Sequence, residues 1–168
     1  YNNSKDAAEN LCAQLTAEGH SCLPFKADVS NSLEVKKLFE FAAQNFGKID
    51  TVINNAGIAQ QKLITDITNQ DYDKMIATNL NSAFYCSREA AKYMIKEKNG
   101  SIINISSMWG ISGASMEVHY SAAKAGISNF TQWLATYFAG TGIRCNAIAP
   151  GFLVSKQNRA LLFHEDGT

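Results

Sequence analysis

Three short, mostly apolar runs, Ile49 to Ile53, Ser101 to Ile105 and Ile143 to Ala149, are separated by long stretches in which apolar residues recur every three or four positions. That alternation constrains the chain more than any other feature. Two strands joined by a helix that crosses over the sheet pair in parallel, so the pattern predicts βαβ units and a buried parallel sheet. Upstream, Ala8, Leu11, Cys12 and Leu15 place a helix over about 4–19, stopped by Gly19. A strand is expected over 21–29. Ser30 or Asn31 then caps a helix carrying Val35, Leu38, Phe39, Ala42 and Phe46, ended by Gly47. Thr68, with Asp71 three residues on, marks another helix start. Helical spacing from Met75 to Ile95 runs to Asn99-Gly100, and a last helix covers Tyr120 to about Ala139. Residues 106–118, rich in Ser and Gly, read as a loop. The fold class is α/β, a Rossmann-type doubly wound parallel sheet with helices on both faces, in one domain over residues 1–168.

Composition narrows what such a sheet could do. Fifteen Lys and Arg balance fifteen Asp and Glu, so no excess charge draws the chain to nucleic acid or to an anionic membrane. No stretch approaches the roughly 18 apolar residues of a bilayer-spanning helix. The four cysteines, Cys12, Cys22, Cys86 and Cys145, are widely spaced with no CxxC pair, so no metal site is expected. They read as reduced thiols of a cytoplasmic protein.

Chemistry concentrates late in the chain. Tyr120 and Lys124 lie four apart at a helix start, so both side chains leave one face. A phenol is a weak acid near neutral pH, and a neighbouring ammonium favours its ionised form. Ser106 and Ser107 end the preceding strand, Ser107 thirteen residues before Tyr120, where a hydroxyl can meet a substrate carbonyl. A hydrolase with Ser107 as nucleophile lacks both a GxSxG elbow and an acidic partner for His119.

These motifs, in this order, resemble the classical short-chain dehydrogenase/reductase family over nearly the whole chain: Asp28-Val29, Asn54-Asn55-Ala56-Gly57, Asn79 in TNLNS, Ser107 in NISS, Tyr120-Ser121-Ala122-Ala123-Lys124, and Pro150-Gly151. The resemblance implies that Tyr120 is the general acid/base and that Ser107 hydrogen-bonds the same substrate oxygen. Lys124 would favour the phenolate and bind the nicotinamide ribose, and Asn79 would hold a water that links Lys124 to solvent. Asp28 and Val29 would contact adenine. Asn55, Ala56 and Gly57 would line the ribose path, while Leu153 and Ser155, after Pro150 and Gly151, would meet the nicotinamide amide and the phosphates. Trp109 would shape the substrate pocket, with His119 beside it; Trp133, at helical spacing, would be core or a subunit contact. Dimers or tetramers would form through the helix after Asn79 and the helix carrying Tyr120.

The sequence also departs from the family pattern. No TGxxxGxG phosphate loop precedes the first helix, so the fold expected here lacks the first strand-helix unit and the last strand. The chain reads as an interior piece of a longer enzyme, expected to bind cofactor poorly and to be inactive when made alone. Asn2-Asn3-Ser4-Lys5 offers no carboxylate for a ribose diol and leans toward NADP(H) over NAD(H). The central block resembles 3-oxoacyl-carrier-protein reductases. The tail, with Gln132-Trp133-Leu134-Ala135 and Gln157-Asn158-Arg159, resembles sugar-acid oxidoreductases of the mannonate/fructuronate type. The expected activity is therefore interconversion of a carbonyl and a secondary alcohol by hydride transfer. A non-catalytic interaction module is the competing class.

Overall fold

A computed structural model of the chain describes residues 1–113 and 115–153. Helix α1 spans Lys5–Ala17 and α2 spans Ser32–Phe46, followed by strand β1 at Thr51–Asn54. Helix α3, Asn69–Ile76, continues through a π turn, Ala77–Asn81, into α4, Ser82–Glu97. Strand β2 is Gly100–Ile105, a 3-10 turn covers Met108–Gly110, α5 is Val118–Tyr137 and β3 is Ile143–Ile148. The caps explain two of the helix starts. Asn31 accepts from the Leu33 and Glu34 amides, and Thr68 forms a reciprocal capping box with Asp71.

The strands make a parallel sheet in the order β1-β2-β3, with Ile53 opposite Ile103 and Ile103 opposite Asn146. Because side chains alternate along each strand, Ile102, Asn104, Ile143 and Cys145 share a face with Val52 and Asn54. Against that face pack Val35 and Phe39 of α2, Ala90 and Met94 of α4, and Leu134 of α5. Burying each large side chain there contributes on the order of 1.5–3 kcal/mol. On the opposite face Ile53 and Ile148 are exposed.

A polar ladder runs through the apolar core. Asn54 Nδ2 donates to Asn104 Oδ1 (2.7 Å) and to Ser87 Oγ (3.1 Å), and Asn104 Nδ2 donates to Thr131 Oγ1 (2.9 Å). The ladder pins β1, β2, α4 and α5 in one register, because a one-residue slip would turn both amides to the wrong face.

Two expectations are corrected here. Residues 21–29 form no strand: the bonds that tie the segment across to another stretch of backbone go to Tyr1, whose carbonyl accepts from Ala27 N–H and whose ammonium donates to the Phe25 carbonyl. Two such bonds do not make a ladder. Nor are all four cysteines reduced, because Cys12 of α1 and Cys22 of that segment are joined in a disulfide, their Cα atoms 5.1 Å apart. Cys86 and Cys145 are free and buried, and burial pushes the Cys86 thiol up to about 11, with the charge of Glu89 adding to the effect. Among the described residues, no helix is long and apolar enough to cross a membrane.

Candidate active site

The carboxyl ends of β1, β2 and β3 open on one edge of the sheet. Beyond β2 the chain stays extended through Ser106 and Ser107, with Ser106 N–H donating to the Ile148 carbonyl and Met108 N–H to that of Pro150. Ser106 turns its hydroxyl inward, donating to the Lys124 carbonyl (3.0 Å) and lying 2.7 Å from Ser128 Oγ. Helix α5 is thereby fastened to the end of β2. Gly110 tightens the same junction, since a Cβ there would stand 2.7 Å from the Lys124 carbonyl carbon and oxygen. Ser107, the neighbouring hydroxyl, accepts from the Trp109 amide at 3.2 Å, which leaves its proton available for donation.

Tyr120 lies in the first turn of α5 and Lys124 one turn later. Lys124 is buried, its Nζ donating to the Ile105 carbonyl at 2.6 Å and standing 5.6 Å from the centre of the Tyr120 ring. Desolvation holds its ammonium below the usual lysine value. An ammonium has three N–H donors; the Ile105 carbonyl is one acceptor, and the others can serve a polar ligand.

Asn79 sits in the π turn, a feature that re-aims side chains and recurs at functional sites. Its Oδ1 accepts from the Ile58 amide (2.7 Å) and its Nδ2 donates to the Ile58 carbonyl (2.8 Å), clamping the loop after β1. Gly57 permits this clamp, because a Cβ would fall 2.9 Å from Asn79 Oδ1 and 3.9 Å from Lys124 Nζ.

Asn55, Gly57, Ser107, Tyr120, Lys124, Pro150 and Gly151 line one cleft of about 280 Å³. Ile58, Ala59, Ile105 and Ser106 line it as well and were not anticipated. Ser106 is the one with a readable signal, a second hydroxyl at a strand end. Val29 and Ala56 border an adjoining cavity of about 140 Å³, which Asn55 shares. Asp28 spends its carboxylate on Ser30, accepting from both its amide and its hydroxyl, and lines neither space. Trp109 packs edge-on against Phe152, 5.9 Å between ring centres, and His119 is fully buried against Gln60. Neither is part of the lining of the cleft. Leu153 is 70% exposed, while Ser155 and Arg159 lie outside the described residues. Trp133 is not core, being 57% exposed and stacked on Tyr137.

A family model described as short chain dehydrogenase matches residues 1–165. The chain belongs to the short-chain dehydrogenase family. The 3-oxoacyl-acyl-carrier-protein reductase of a Synechocystis species is 37% identical over 161 residues, covering 96% of this chain and 65% of that protein. The protein of the same name from Staphylococcus epidermidis is 36% identical over 161 residues, covering 96% and 66%. An uncharacterized oxidoreductase of Bacillus subtilis is 36% identical over 182 residues, covering 99% and 66%. The chain thus spans about two thirds of the length of these curated relatives. A solved structure of ElxO, a tyrosine-to-phenylalanine variant with NADPH bound, superposes with a TM-score of 0.79 at 33% identity, covering 84% of this chain and 59% of that one. As in a short-chain dehydrogenase, the cleft lies where the strands of an open parallel sheet end. The spare donors of Lys124 suit a ribose diol.

Proposed function

We propose that this protein is an NAD(P)-dependent oxidoreductase that interconverts a carbonyl and a secondary alcohol, with 3-oxoacyl thioesters as substrate class and NADP(H) as coenzyme. One observation carries the reading: Ser107, Tyr120 and Lys124, contributed by a strand end and a helix, line the same cleft as Asn55 and Gly57. Packing alone does not require those three polar side chains to converge. The named substrates of the similar reductases favour the oxoacyl class over a sugar acid.

In this reading Tyr120 donates its hydroxyl proton to the substrate oxygen during reduction and takes it back during oxidation. Ser107 donates a hydrogen bond to the same oxygen as negative charge develops there. Lys124 would hold the ribose hydroxyls, and Asn55, Ala56 and Val29 would border the coenzyme's path toward the adjoining cavity. The nicotinamide, when bound, supplies the hydride. Asn79 would hold the loop after β1 in place beside Lys124, through its paired bonds to Ile58.

The test is oxidation of NADPH by the full-length protein in the presence of an acetoacetyl thioester. Turnover is expected, and Tyr120→Phe should lower kcat by roughly 10²–10⁴ while leaving coenzyme affinity intact. No turnover with any 3-oxoacyl thioester, or an active Tyr120→Phe protein, would sink the proposal.

The partner proposed for α4 and α5 is a second copy of the chain. Between these helices runs a groove bordered by Phe84, Ile95, Trp133 and Tyr137, which are 44–61% exposed, with Arg88 and Lys92 beside them. Aromatic side chains beside arginine are the usual makings of an interface centre.

A further inference from the structure

The residue before Tyr120 is a fully buried histidine that the mechanism does not use. His119 Nε2 lies 3.0 Å from Gln60 Oε1, and its Nδ1 has no hydrogen-bond partner among the described residues. Gln60 Nε2 in turn donates to Asp71 Oδ1 at 3.0 Å. The other Asp71 oxygen accepts from Lys62 Nζ (2.8 Å), the Thr68 amide (3.0 Å) and the Thr68 hydroxyl (2.7 Å). Those donors hold the Asp71 carboxyl well below the usual carboxylate range, with Lys62 contributing most.

An ionised carboxylate only accepts hydrogen bonds. The Gln60 amide must therefore point its nitrogen at Asp71 and its oxygen at His119, and the His119 nitrogen facing that oxygen must carry the proton. The direction of every bond follows from the charge on Asp71. The chain of contacts also joins two parts of the cleft. Ile58 and Ala59 line it, Gln60 follows them directly, and Lys62 N–H donates to the Met116 carbonyl just ahead of α5. Segment 57–62 is thus held at one end by Asn79 and at the other by the first turn of α5, which carries Tyr120.

We propose that Asp71, Gln60 and His119 are positioning residues: Asp71 orients Gln60, Gln60 holds a proton on His119 Nε2, and the three lock the 57–62 wall to Tyr120. The proposal rests on the reading of Tyr120 as acid/base.

Two measurements test it on the full-length protein. Nitrogen-15 imidazole spectra at neutral pH should show His119 protonated at Nε2 in the wild type, and should lose that preference in Gln60→Leu. In NADPH-dependent reduction of an acetoacetyl thioester, His119→Leu should lower kcat about tenfold, the scale of one hydrogen bond, with the KM for NADPH unchanged. His119→Gln, whose amide N–H can reach Gln60 Oε1, should restore kcat to within about threefold of wild type. A proton on Nδ1 alone, a tautomer indifferent to Gln60→Leu, or His119→Gln as impaired as His119→Leu would each overturn the proposal. If the wild type reduces no carbonyl, the acid/base reading of Tyr120 falls, and the spectra alone decide whether Asp71 and Gln60 set the tautomer.

Discussion

Gly57→Ala isolates the contact on which the cleft depends. The backbone at 57 is not in the left-handed region, so alanine meets no conformational penalty there, and any cost must come from the new methyl group. That methyl would lie 2.9 Å from Asn79 Oδ1, closer than real Cβ contacts allow, so the amide has to move. Asn79 is 2% exposed and its amide is spent on the Ile58 amide and carbonyl. Moving it breaks both bonds. At about 0.5–1.5 kcal/mol net for each, the substitution costs roughly 2 kcal/mol, or about 4–8 °C in Tm for a chain of this size. A double-mutant cycle read by thermal unfolding separates this from a general effect of alanine. In an Asn79→Ala background the obstructing oxygen is gone, so Gly57→Ala should be neutral, or stabilise slightly by restricting the unfolded chain. The coupling energy should then be close to the whole 2 kcal/mol. Additive effects, or a Gly57→Ala protein that melts with the wild type, would refute the clamp.

Three further outcomes are expected. Desolvation lowers the Lys124 pKa from 10.5 in the folded protein, so between that lowered value and 10.5 the unfolded chain holds more protons. Stability relative to Lys124→Met should therefore rise with pH across that interval and level off above it; a flat difference in Tm against pH would contradict the burial of the ammonium. Asn104→Leu removes the middle of the core ladder, costs Asn54 and Thr131 a partner each, and should destabilise by about 1–3 kcal/mol in chemical denaturation; a neutral result would show that the ladder adds nothing to the register. Trp133→Glu, on the exposed rim of the α4/α5 groove, should shift the protein to a smaller species in sedimentation without lowering its monomer stability; an unchanged sedimentation coefficient would place the interface elsewhere.

Periodicity made the regular elements readable because their buried faces repeat at the spacing of their own backbone. Val35 and Phe39, four apart in α2, announce which side of that helix meets the core. Residues 21–29 carry the same alternation and yet form no strand, since a strand is defined by its partner and alternation describes only one member of a pair. The Cys12–Cys22 disulfide escaped for a related reason: ten residues of spacing say nothing about whether α1 folds back on the segment that follows it. Asn54, read as the start of the Asn-Asn-Ala-Gly motif, and Asn104, inside an apolar run, gave no sign in the sequence that they meet. Their meeting is set by strand register, in which Asn54 lies directly opposite Asn104.

The convergence of the cleft residues follows from topology more than from any one motif. In a parallel sheet every strand ends at the same edge, so the segments after β1, β2 and β3 bring Asn55 and Gly57, Ser107, and Pro150 and Gly151 together whatever the helices between them contain. Tyr120 and Lys124 reach that edge because α5 must run back against the strands it connects, and so starts where β2 ends. What topology leaves open is precision of about an ångström. That is supplied by contacts whose residues look unremarkable in the sequence: Ser106 tying α5 to β2, Gly110 letting their backbones touch, and Asn79 and Gln60 holding the two ends of the 57–62 wall. Positions that carry the chemistry are therefore legible from residue type, whereas positions that aim it become visible only once partners are known.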